Sequence, residues 1–154
     1  MRGVLLLMSL LLGLVSGAMA EVCRPGARSG VLKADPVTQL QDLNGSEFDL
    51  TYMRVMYQLH SDMRQLAAQA IEKTSGRDLR ILSDGIKHEQ MDQNAKLAAW
   101  YKQATGDQLS DYCVQSNPDY ARLQTVLPQD YNNAYATTMI AYLQHDLYAA
   151  EKLL

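Results

Sequence analysis

The sequence predicts an all-α protein, an up-down antiparallel helical bundle with three long helices. Three observations predict it. Apolar residues recur at alternating spacings of four and three over long stretches, no stretch shows strand alternation, and two stretches read nearly alike. These are residues 48–60 and 131–143, with Tyr52 matching Tyr135 and Met56 matching Met139 at one common offset. A duplicated helical unit packing on its own copy explains the repeat.

The chain opens with Arg2 and an apolar run from Val4 to Val15, then Ser16-Gly17-Ala18-Met19-Ala20 before Glu21. That is the pattern of a secretory signal peptide over residues 1–20, too short to span a bilayer, so the product is expected to be exported, periplasmic or extracellular. Without residues 1–20 the chain carries 13 basic and 17 acidic residues, a net of −4, and no Lys/Arg cluster. Nucleic acid is therefore not an expected partner, and no membrane insertion is expected after signal cleavage.

Residues 21–46 hold Pro25, Gly26, Gly30, Pro36 and Gly45 among polar residues and read as an extended tail, with at most a short helix from Asp35-Pro36. The helical domain is expected over residues 47–154. Ser46 is placed to cap the first helix, whose inward line is Tyr52, Met56, Leu59, Met63, Leu66 and Ala70. Thr74-Ser75-Gly76 breaks it. The second helix starts near Arg77, carries Leu79, Leu82, Ile86, Leu97 and Trp100 on one face, and stops at Gly106. So short a link makes the pair an antiparallel hairpin.

Residues 107–130 are turn-rich, with a short helix expected near Asp119–Thr125. The third long helix begins near Gln129-Asp130 and runs on Tyr135, Met139, Tyr142, Leu143, Ala150 and Leu154 without a stop signal. Tyr131, Tyr135, Tyr142 and Tyr148 are expected to pack at core and rim. Cys23 and Cys113 form no Cys-x-x-Cys pair, and in an oxidising compartment a disulfide between them is expected, closing a loop worth about 4 kcal/mol in the chain-entropy model.

In the second helix Glu89, Gln90 and Gln93 fall on the inward side, between Ile86 and Leu97. Counting back from the turn sets His60 beside Glu89 and Gln90, and Met56 beside Gln93. Buried polar groups need partners, so the cluster has a cause. One cause is a hydrogen-bonded layer that fixes helix register. The other is a metal: His60 with Met56 and Met63 on one face offers an imidazole and two thioethers, suited to Cu(I), with Glu89, Gln90 or Gln93 adding a harder oxygen. Met53 and Met91 could extend the soft set. His88 and His145 read as solvent-facing.

Catalytic signatures are missing: there is no Gly-x-Ser-x-Gly, Gly-rich phosphate loop or His-Glu-x-x-His. A non-enzymatic role is expected.

The first unit, Asp49-x-x-Tyr52-Met53-x-x-Met56 with His60 and Leu66-Ala67, then Leu79-Arg80-x-Leu82, Ile86, Gln90-x-x-Gln93-Asn94-x-x-Leu97-x-x-Trp100, resembles the ferritin-like bacterial family catalogued as domain of unknown function 305. The stretch Ala121-Arg-Leu123 through Asp130, Tyr135 and Met139-Ile140 is similar to that family's second half. The resemblance implies an exported bundle of two helical hairpins, with metal binding, copper included, in some members. Of the family's Met-Ile-x-His-His and Gln-x-x-Glu marks this chain keeps His60 and Gln90, with Leu59, Tyr142, Leu143 and Gln93 at the other positions. It also lacks the fourth long helix. Either the chain is truncated relative to its relatives, or a homo-oligomer or a helical protein partner covers the open side of the third helix, and the chain reads as a structural or interaction module of the cell envelope.

Overall fold

Helix α1 spans Gly45–Lys73, α2 Arg77–Thr105, α3 Pro118–Gln124 and α4 Pro128–Glu151 in the computed structural model, which describes residues 40–109 and 117–152. The expected signal peptide, the tail up to residue 39, Leu154, and both Cys23 and Cys113 lie outside the described residues. Among the described residues there is no strand, so the all-α class holds.

α1 begins at Gly45 after Asn44, so Ser46, expected as the cap, sits inside the first turn. Its inward line is the expected one: Met56, Leu59, Met63, Leu66 and Ala70 are buried, and Tyr52 packs partly buried against the same core. Val55 and Ala67 widen the stripe, so α1 is covered on two sides and acts as the central helix. It ends because Thr74 and Gly76 are extended. Thr74 Oγ1 accepts from the Gly76 backbone N–H at 3.1 Å and donates to Asn132 Oδ1 at 2.7 Å. The Arg80 guanidinium donates to the Thr74 carbonyl at 2.9 Å. The link is thereby tied to both neighbouring helices.

α2 departs from expectation. Leu82 and Trp100, expected inward, are exposed, and the buried residues are Ser83, Gln90, Asn94 and Leu97, flanked by half-buried Leu79 and Ile86. The reason is local: Ser83 Oγ donates to Leu79 O at 2.7 Å and lies 3.0 Å from the Tyr135 hydroxyl. A hydroxyl with backbone and phenol partners is satisfied at close approach, whereas Leu82, one residue earlier, is rotated about 100° away. Gly106, in the left-handed region at φ 82°, ends the helix as expected.

α3 is capped by Asn117, whose Oδ1 accepts from the backbone N–H groups of Asp119 and Tyr120 at 2.9 and 3.1 Å, with Pro118 at the first helical position. α4 runs antiparallel to α1, fixed by Thr74–Asn132 at one end and His60–Asp146 at the other. It buries Tyr131, Tyr135, Met139, Tyr142 and Ala149. Leu143 and Ala150, expected on that inward line, are exposed, because the buried line continues from Tyr142 to Ala149, a seven-residue step that keeps to one face.

Candidate functional site

The α1–α4 seam holds the buried histidine. His60 is 5% exposed, and its Nε2 lies 3.2 Å from Asp146 Oδ1. An ionised carboxylate only accepts, so Nε2 is the donor in this contact. The other ring nitrogen, Nδ1, is buried and finds no hydrogen-bond partner among the described residues. Tyr52, two turns before His60, shares the seam: burial pushes its phenol above the usual range, and the negative charge of Asp146 pushes it the same way.

The register expected for the hairpin is corrected. Asn94 Nδ2 donates to Ser61 Oγ at 2.8 Å and to the Tyr57 carbonyl at 3.2 Å, which shifts α2 by about one turn relative to the expected pairing. His60 therefore faces Asp146 of α4 rather than Glu89. Glu89 is exposed and accepts from Gln93 Nε2 at 3.2 Å along its own helix. Gln90 is buried, and its Oε1 has no hydrogen-bond partner among the described residues. Met56 and Met63 are fully enclosed in the core. His88 is exposed, with Nδ1 2.8 Å from Asp84 O, whereas His145 is half-buried rather than solvent-facing.

Two further polar groups pin α4. Tyr131 donates to Gln69 Oε1 at 3.2 Å, and Gln69 Nε2 donates to Tyr120 O at 3.1 Å, linking α1, α3 and α4. Arg122 donates to Asp119 Oδ1 at 2.8 Å and to Thr138 Oγ1 at 2.7 Å, and the Tyr142 hydroxyl donates to Asp119 Oδ2 at 3.4 Å. Burial holds the Tyr142 phenol far above its usual range, and the carboxylates of Asp62 and Asp119 add to it.

Against this geometry the metal expectation divides. Exposed Glu89 and half-buried Gln93 hydrogen-bond each other along α2, away from His60. His60 Nδ1 finds no hydrogen-bond partner among the described residues, and Met56 and Met63, one turn before and one turn after it on α1, are enclosed in the core. Asp146 holds the opposite ring nitrogen, the arrangement in which a carboxylate orients a ligating imidazole. Among the described residues no group of three or more His, Cys, Asp and Glu is gathered to hold an ion.

The outer face of α4 is the second candidate. Ile140, Leu143 and Leu147 are 55%, 41% and 62% exposed, and the one Asp, Glu, Lys or Arg between Tyr131 and Ala150 is Asp146, which is turned to His60.

The family model described as a domain of unknown function (DUF305) matches residues 15–101, more than half of the chain. The chain belongs to this family. The DUF305 match takes in α1 and most of α2, with Met56, His60, Met63, Glu89, Gln90 and Gln93, and stops before α3 and α4. Asp146 and the bare face of α4 thus lie in the part of this DUF305 chain that the match does not reach. No curated protein and no solved structure matches the chain. Among the described residues, no helix is long and apolar enough to cross a membrane.

Sequence reasoning missed Asp146, Asn94, Ser61 and Ser83. Asn94 had a signal, since it continues the line from Gln90 at a spacing of four. Asp146 had none, because its partner depends on how α4 is laid along α1.

Proposed function

We propose that this DUF305 protein is an exported, non-enzymatic helical module of the cell envelope that works by holding a protein partner on the outer face of α4. The observation that carries the reading is that face: three large aliphatic side chains stand in water on a helix whose only fixed charge in that stretch is engaged by His60. Surface helices normally carry charge there, and a contiguous apolar stripe marks an interaction site. A photoreactive residue at Ile140, in cells exporting the full chain, tests it. A discrete crosslinked species is expected, with none from the same probe at Leu82 on α2. Absence of any crosslink at Ile140 ends the reading.

A second reading rests on His60 Nδ1. Bound there with the Met56 and Met63 thioethers, Cu(I) would make the protein a copper carrier, with Asp146 fixing the tautomer of His60. Anaerobic Cu(I) titration against a competing chelator is expected to give a site tighter than about micromolar that weakens about 10- to 100-fold in Asp146→Asn. Unchanged binding in His60→Ala removes the reading.

A further inference from the structure

We infer that the partner on α4 is a second copy of this chain, docked about a two-fold axis at Leu143; this rests on the interaction-module reading. The exposed line of α4 is Ile140, Leu143, Leu147 and Ala150, and half-buried Ala136 continues it, the five spaced four, three, four and three. That is the spacing of a coiled-coil seam. In size the line reads the same in both directions: small, large, large, large, small.

Laid antiparallel against an identical helix, Leu143 meets the partner's Leu143, Ile140 meets the partner's Leu147, and Ala136 meets the partner's Ala150. Large faces large at the centre, and the alanines let the helix ends approach. A two-fold interface requires this self-complementarity, since each contact occurs twice with the roles exchanged.

Charge agrees with the pairing. A surface that selects a different protein usually carries charges that steer it and reject others. The α4 line itself has none; Asp146 beside it is held by His60 on the inner side, and Glu151 flanks only its far end. Two copies therefore meet without like charges opposed. α4 has 24 residues, about 36 Å, so the contact is one helix wide and small for a specific interface. Association in the micromolar range is expected.

The test is sedimentation equilibrium of the full chain over a concentration series spanning that range. A monomer–dimer equilibrium is expected, with Leu143→Arg weakening it about 100-fold, because two guanidinium groups then face each other across the axis. Leu143 is exposed in the single chain, so helix content should hold by circular dichroism, and Leu82→Arg on α2 should leave the dimer intact. Mixing Leu143→Arg with Leu143→Glu should restore a dimer, which a seam joining Leu143 to any other residue would not do. A monomer at every concentration, or a dimer broken by Leu82→Arg and not by Leu143→Arg, overturns the inference. If the chain is monomeric yet the Ile140 probe captures a different protein, this inference fails and the module reading stands. If the probe captures nothing, both fail.

Discussion

Raising the pH above about 10 should unfold this bundle in one steep step, and the cause lies in how α4 is anchored. Tyr131, Tyr135 and Tyr142 are each 1% exposed, and burial, the largest cause in each case, pushes all three phenols above their usual value. An unfolded phenol titrates near 10. The folded chain holds these protons to higher pH, so the stability they carry is fully present below pH 10 and is lost as pH rises beyond it. Each group lowers the unfolding free energy by about 1.4 kcal/mol per pH unit in that window, so three together remove about 4 kcal/mol per unit. Against a total of about 5–15 kcal/mol for a small domain, that slope is enough to bring the unfolding midpoint into the alkaline range above pH 10. Phenolate absorbance and far-ultraviolet circular dichroism, read on the same samples, check it: a cooperative rise in phenolate should coincide with loss of helix. Tyr135→Phe should reduce the pH slope by about a third while Ser83 keeps its bond to Leu79 O. Smooth ionisation of all nine tyrosines with helix intact would refute the reasoning.

Two substitutions test the packing more locally. A Cβ added at Gly85 meets nothing within 4 Å, so Gly85→Ala in the middle of α2 should stabilise the chain by about 0.5–1 kcal/mol in urea unfolding; destabilisation would mean that something approaches that face of α2. Asp146→Ala strips the partner from a buried imidazole and should cost about 1–3 kcal/mol, whereas Asp146→Asn, which keeps an acceptor oxygen, should cost clearly less. Equal losses in the two variants would show that the His60–Asp146 contact does not hold α4.

The sequence exposed α1 well because its large apolar residues and its buried residues are the same ones, so the spacing of Met56, Leu59, Met63, Leu66 and Ala70 was enough. On α2 the two sets separate. Ser83, Gln90 and Asn94 are inside while Ile81, Leu82 and Trp100 are outside, and a reading that follows apolarity selects a face rotated by one residue. Nothing in residue type alone reports that a serine is buried; that follows from the Tyr135 hydroxyl 3.0 Å away on another helix.

The same limit governs the candidate site. That His60 is buried on the helical face of Met56 and Met63 was legible from spacing within one helix. Its partner was not, since Asp146 stands on α4 and the contact depends on how α4 is laid along α1. α4 carries the sharpest case. Tyr135, Met139 and Tyr142 on one side and Ile140, Leu143 and Leu147 on the other are both apolar lines at helical spacing, and periodicity cannot rank them. What ranks them is the phenol hydroxyls. Tyr131, Tyr135 and Tyr142 find Gln69, Ser83 and Asp119 on three other elements, so the tyrosine side turns inward and the aliphatic side is left exposed.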